Sequence, residues 1–313
     1  MPFWEKKMIK VGILDTSVNS TNSHGNKVAS CIGFEHHDIE IVSCKVLDEN
    51  DRGRAEELIT GIEYCIAQNV DVINISAGIR KISYDNLKRL IDSCEKAHSK
   101  GITIIAAANN KGEISYPACF DSVLTVTEKR LLSERTDKKL SLAYDSSMVA
   151  SKTNEDDKFL TGNSFLCALT TGIFAAFLEA GCLDPEKRKD ASFVKLWNDL
   201  YDNGMITSAA PSGSVEDYGF IRLTEENFLD SDLISRLKLK KIYSLSDLSK
   251  KSFQRGILGN PSYPVSDSLK KELIDKMIGC DMKTAYAVTP VFSVFERYMI
   301  KKRYGITVSN VYM

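Results

Sequence analysis

Short apolar runs alternate with helix-patterned stretches through the first two-thirds of this chain, and that alternation leaves few folds open. Ile9–Leu14, Ile39–Leu47, Val70–Ile75, Ile102–Ala107 and Val123–Val126 read as strands. Their apolar content is continuous, not alternating, which suits strands buried on both faces. Between them, Ala55–Gln68 and Tyr84–Ser99 repeat at helical spacing, and Gly101 is placed as a C-terminal stop. The pattern predicts an α/β fold, a doubly wound and mostly parallel sheet with helices on both faces. Ligands of open parallel sheets bind at the carboxyl ends of the strands. Asp15 follows one strand end and Asn110 another, so both are expected at one edge of the sheet.

Composition narrows the class without naming it. The 313 residues are 43% hydrophobic, enough for one large core or a core with a small appendage. Net charge is −1, which gives no global sign of nucleic acid as a partner. Eight scattered cysteines without a C-x-x-C pair point away from a zinc or redox motif and towards a reducing compartment. No signal-peptide apolar region precedes the first strand, so a cytoplasmic location is the expectation. The apolar stretch Phe165–Leu178 is about 14 residues long where a span needs about 20. It reads as a buried core helix, and no membrane insertion is expected.

From Thr127 to Asn163 the pattern weakens into a charged, loop-rich stretch, after which a strongly apolar helix opens at Ser164. A helix near Phe193–Leu200 and the Tyr218-Gly219-Phe220 segment are expected to complete this unit, giving a domain of 1–229. The remaining 230–313 carries 15 Lys/Arg against 8 Asp/Glu. It is expected to be a small, basic, mainly helical module, and an ordinary solvated extension is the bland alternative.

Four short segments carry chemistry. They are Ile13-Leu14-Asp15-Thr16, His24-Gly25-Asn26-Lys27-Val28-Ala29, Ala107-Ala108-Asn109-Asn110 and Gly162-Asn163-Ser164. A hydroxyl nucleophile needs a base, and the base needs a carboxylate to fix its tautomer. Of the four histidines, His98 lies in a charged helix, His36-His37 read as a turn, and His24 opens a helix-like stretch. Ser164 at a helix start faces unpaired amides and the positive end of the dipole.

These segments resemble the subtilase family of serine peptidases, with the aspartate, histidine and serine motifs in the family's order. Val70–Gly78 is similar to the strand that binds substrate backbone, and Ile104–Asn110 to the strand ending in the oxyanion asparagine. Tyr116-Pro117-Ala118 with Val123–Val126 resembles the next part of the pattern, and the likeness runs from about Lys10 to Leu223. The resemblance implies a serine endopeptidase in which Ser164 attacks the scissile carbonyl and His24 moves the proton. Asp15 would hold His24, and Asn110 would bind the oxyanion. It implies substrate contacts at Ser76, Ala77, Gly78, Ala108, Asn109, Lys111 and Gly53, and it requires no cofactor.

The departures are specific. Asp15 and His24 are only nine residues apart, and the chain from His24 to Lys45 is too short for the family's long calcium-binding loop, so no metal site of that type is expected. Asn163 stands where Thr is usual, Phe165-Leu166-Cys167-Ala168 where Met-Ala and a proline are expected, and Asn109 where a glycine is usual. No long propeptide is expected before the first strand. The resemblance implies Lys111 at the rim of the specificity pocket, where a cation favours an acidic residue; a solvated lysine on a loop is the equal alternative. The expected partner is a peptide or protein precursor, with an acidic leader that the basic 230–313 module could bind. The alternative is a catalytically inactive subtilase-like binding partner. A nucleotide-binding protein is disfavoured, since Leu14–Asn19 holds no glycine-rich phosphate loop.

Overall fold

The computed structural model describes residues 8–36, 38–50, 52–131, 141–144, 148–150, 159–183, 189–206, 218–223, 230–231, 234–235, 237–250, 254–259, 265–287 and 291–310. The chain divides into two compact units, 1–197 and 198–313.

The first unit holds a six-stranded sheet of order β2-β1-β3-β4-β5-β6 in which every pairing is parallel. Its strands are β1 (Ile9–Asp15), β2 (Ile39–Lys45), β3 (Val72–Ile75), β4 (Thr103–Ala107), β5 (Val123–Glu128) and β6 (Ser141–Tyr144). Strands β3, β4 and β5 are buried along their whole length, as their continuous apolar runs require. Helices α1 (His24–Glu35), α2 (Ala55–Ala67) and α3 (Tyr84–Ser99) lie between the strands in sequence, and α4 (Asn163–Glu179) and α5 (Lys189–Asp202) follow them. The expected strands and helices are all present, and β6 adds a strand inside the stretch expected to be loop. Its four residues, Ser-Leu-Ala-Tyr, are too few to stand out from charged flanks. A short ribbon of β7 (Met148–Ala150) and β8 (Phe159–Thr161) runs antiparallel.

Helix α4 is buried along most of its length, as expected of a core helix. Phe174 and Phe177 are fully enclosed, and Phe174 meets Phe193 edge-on with ring centroids 5.0 Å apart. Each such side chain contributes about 1.5–3 kcal/mol by leaving water. No helix among the described residues is long and apolar enough to cross a membrane.

The second unit corrects the expected architecture. Instead of a mainly helical module from 230, it is a second α/β layer with a five-stranded parallel sheet, β10-β9-β11-β12-β13. Its strands are β9 (Tyr218–Arg222), β10 (Ile242–Ser244), β11 (Arg255–Leu258), β12 (Thr284–Ala287) and β13 (Thr307–Asn310). Its helices include α6 (Asp267–Gly279) and α7 (Val294–Tyr304). The expected boundary at 229/230 fails because β9 is bonded to both β10 and β11, so Tyr218–Arg222 belongs to this sheet. A buried run of a few apolar residues announces a strand but not which sheet it joins.

Helices α1 and α4 approach so closely that Gly172 has no room for a side chain. A Cβ there would lie 2.5 Å from the Ile32 carbonyl oxygen and 2.8 Å from Glu35 Cβ. At Gly33, on α1, a Cβ would meet nothing within 4 Å. Gly172→Ala is therefore expected to lower stability by about 1–3 kcal/mol through overpacking. Gly33→Ala is expected to raise it by up to about 1 kcal/mol through helix propensity. Urea midpoints of the two variants check the opposite signs.

Candidate active site

β1 delivers Asp15 to the carboxyl edge of the sheet with its side chain fully buried. A carboxylate there needs partners, because an unpaired buried charge is costly. The Thr16 amide donates to Asp15 Oδ1 at 2.7 Å. His24 Nδ1 lies 2.8 Å from Oδ1 and 2.9 Å from Oδ2. With an ionised carboxylate as acceptor, Nδ1 carries the proton and Nε2 keeps its lone pair.

The position of His24 follows from local sequence. Ser23 caps α1 by accepting from the Asn26 amide, which makes His24 the first helical residue. Thr16 Oγ1 accepts from the Gly25 amide at 2.8 Å, so one threonine braces both sides of the Asp15–His24 contact. Phe165, one of the departures from the family pattern, lies against the imidazole with ring centroids 5.2 Å apart.

Ser164 is the second residue of α4, after the turn at Gly162. Gly162 has φ of 118°, a conformation that L side chains rarely adopt. The Ser164 hydroxyl donates to the Ser76 carbonyl at 3.0 Å. Asn110 Oδ1 accepts from the Asn163 amide at 2.8 Å. That bond settles which end of the Asn110 amide is oxygen and leaves the NH2 group as the donor available to solvent.

Behind these groups lies a polar lattice of buried side chains. Asn163, fully buried, donates from Nδ2 to the Ala108 carbonyl at 3.0 Å, and its Oδ1 accepts from the Glu128 amide at 2.9 Å. It ties the ends of β4 and β5 to the start of α4. Asn74, also fully buried, donates to Thr171 Oγ1 at 2.9 Å and to Cys167 Sγ at 3.2 Å. Ser76 Oγ links Asn74 Oδ1 with the Ser164 carbonyl at 2.9 and 3.1 Å. Sequence reasoning missed Thr16 and Asn74 and saw Asn163 only as a departure. Their signal was a polar residue inside or beside an apolar strand or motif, which has to find a partner once buried.

His24, Ser76, Ala77, Gly78, Asn110 and Ser164 line one cleft of about 470 Å³, together with Gly53. Ala108 and Asn109 line a separate cavity of about 330 Å³ with Ser115, Tyr116, Thr125 and Thr127. Lys111 lines neither and is exposed, with its amide on Asn109 Oδ1 at 2.8 Å, so its expected place at a pocket rim has no support in this geometry. The other histidines lie elsewhere. His36 caps the C-terminal end of α1 and pairs with Glu179 at 3.4 Å, His98 is in the last turn of α3, and His37 lies outside the described residues.

A thiol nucleophile is disfavoured at this site. Burial pushes the Cys167 thiol, three residues after Ser164, up to about 12, so it stays protonated through neutral pH. Burial raises Cys31 and Cys94 to about 12 as well. Native protein at pH 8 is expected to take up iodoacetamide at exposed Cys182 and not at Cys31, Cys94 or Cys167, as read by peptide mass mapping. Because the Cys31, Cys94 and Cys167 thiols are raised when folded, their contribution to stability is expected to hold below about pH 9, where an unfolded thiol is still protonated. It is expected to fall as pH rises further. The urea midpoint against pH checks that sign.

Comparison with known proteins fits this geometry. The minor extracellular protease Epr of Bacillus subtilis (strain 168) is 33% identical over 124 residues, which cover 36% of this chain and 19% of Epr. Subtilisin of Bacillus pumilus is 27% identical over 200 residues, covering 59% of this chain and 67% of that protein. Subtilisin E of Bacillus subtilis (strain 168) is 27% identical over 200 residues, and this chain spans 49% of it. Among solved structures, the prenylagaramide maturation protease PagA is similar at a TM-score of 0.47 and 21% identity. That alignment covers 66% of this chain and 85% of PagA. The sequence model of the subtilase family matches residues 10–209, and the chain belongs to that family.

Proposed function

We propose that the protein is a serine endopeptidase that cleaves peptide bonds through an acyl-enzyme. The observation that carries this reading is the two-oxygen contact of Asp15 with His24 Nδ1, made at a cleft that Ser164 and Asn110 also line. In this reading Ser164 Oγ, with its hydroxyl turned from the Ser76 carbonyl to His24 Nε2, attacks the scissile carbonyl carbon. His24 takes the hydroxyl proton as the carbon–oxygen bond forms and gives it to the leaving amine as the carbon–nitrogen bond breaks. A water molecule then repeats the sequence in reverse roles and releases the acid. Asp15 holds the ring in place and stabilises the imidazolium. The Asn110 NH2 group and the Ser164 amide at the start of α4 donate to the oxyanion.

The same reading makes the enzyme selective, acting on a class of peptide or protein precursor and not on every unfolded chain. A cleft lined by charged and amide groups rejects substrates that leave those groups unpaired. The eight cysteine thiols, six of them buried, support work in a reducing compartment.

Incubation with a fluorophosphonate, followed by intact-mass measurement, tests the activity. One adduct mapped to Ser164 is expected on the unmodified protein and none on Ser164→Ala or His24→Ala. A folded protein that takes no adduct would favour a non-catalytic binding role. Asn110→Ala is expected to lower kcat by about 10²–10³-fold with little change in KM, since one oxyanion donor is worth about that much. Steady-state kinetics on any cleaved peptide check it.

A further inference from the structure

The cleft's cations are not where the resemblance placed one. Arg52 and Arg54 line the same cleft as His24 and Ser164, and none of its described lining residues is Asp or Glu. The remainder of the wall on that side is apolar, from Val46, Leu47 and Leu58. Both arginines are exposed, so their guanidinium groups meet solvent from the cleft.

The glycine between them sits where no side chain fits: a Cβ on Gly53 would collide with the Val46 carbonyl oxygen, so this stretch of the loop lies directly against the Val46 wall of the cleft.

Among the described residues, the nearby carboxylates accept hydrogen bonds from other groups. Asp48 Oδ1 accepts from the Asn50 and Arg52 amides at 2.9 and 3.0 Å. Those two bonds, with the Arg52 charge adding to them, hold its carboxyl below the ordinary range. Glu57 Oε2 accepts from the Arg54 amide at 2.8 Å, and Glu56 Oε1 from Asn86 Nδ2 at 2.7 Å. Asp48 and Glu57 thus hold the backbone of the loop and the start of α2, and they share with both arginines an adjoining pocket, not the cleft that His24 and Ser164 line. A carboxylate is the group that a guanidinium fork binds in a paired, planar geometry.

We propose that Arg52 and Arg54 are specificity-determining residues that select a peptide segment carrying an acidic side chain beside apolar ones. The inference rests on the reading of this cleft as the substrate groove. It assigns the charge preference to the loop between β2 and α2 and not to Lys111.

Binding tests it independently of turnover. The probe is a set of fluorescein-labelled hexapeptides in which glutamate is walked through an alanine–leucine background, each with a glutamine twin. Fluorescence anisotropy is read on full-length Ser164→Ala protein and on the same protein carrying Arg52→Gln and Arg54→Gln. At least one glutamate peptide is expected to bind about tenfold tighter than its twin, with the preference falling below about twofold in the arginine variant and at 0.5 M salt. Both arginines are exposed, so the variant is expected to keep its melting temperature. Equal affinity within every pair, including absent binding, overturns the proposal, as does a preference that survives in the arginine variant. Failure of the peptidase reading shows separately, as missing fluorophosphonate labelling of the unmodified protein.

Discussion

One buried carboxylate organises the first unit. Asp15 has left water entirely, and its charge is supportable only because the Thr16 amide and the His24 imidazole meet both of its oxygens. Satisfying that charge fixes much else. His24 has to start a helix, so Ser23 caps it, and Thr16 has to hold the Gly25 amide. The cost of burying one acid is thus converted into the placement of a base, which is the way a small set of polar groups gains precision from an apolar scaffold.

The second constraint is the close join between α1 and α4. Gly172 lets the two helices touch, and α1 begins at His24 while α4 begins one residue before Ser164. His24 and Ser164 therefore sit at the starts of two helices packed directly on each other, and their separation is set by helix packing. Asn163 performs a comparable task on the other side by tying Ala108, Glu128 and Asn110 to the start of α4. Where the family pattern has threonine, this chain has a longer amide that reaches two strand ends at once.

Much of this was legible in the sequence. The strands β1 and β3 to β5 are largely apolar runs, and the four segments around Asp15, His24, Asn110 and Ser164 carry the family pattern, so both the sheet edge and the candidate site residues could be named; β2, with Glu40, Ser43 and Lys45, is a half-exposed edge strand. The unit boundary was not legible, because Tyr218–Arg222 looks the same whether it closes one sheet or centres another; only its pairing with β10 and β11 decides. β10 to β13 are three or four residues long, and helical periodicity in α6 and α7 outweighed them. Arg52 and Arg54 were hidden for a different reason. They lie in a charged stretch, and nothing local says that this loop lines the cleft until Gly53 is seen against the Val46 carbonyl.

The most direct test of the central claim is the rate of fluorophosphonate labelling at Ser164 in Asp15→Asn, alongside its melting temperature. The substitution keeps the shape of the side chain and removes the charge that fixes the imidazole tautomer. A fall in labelling rate of about 10³–10⁴-fold in a folded protein is the predicted result. An unchanged rate in Asp15→Asn would contradict the account, since His24 would then be oriented by something other than the carboxylate beneath it.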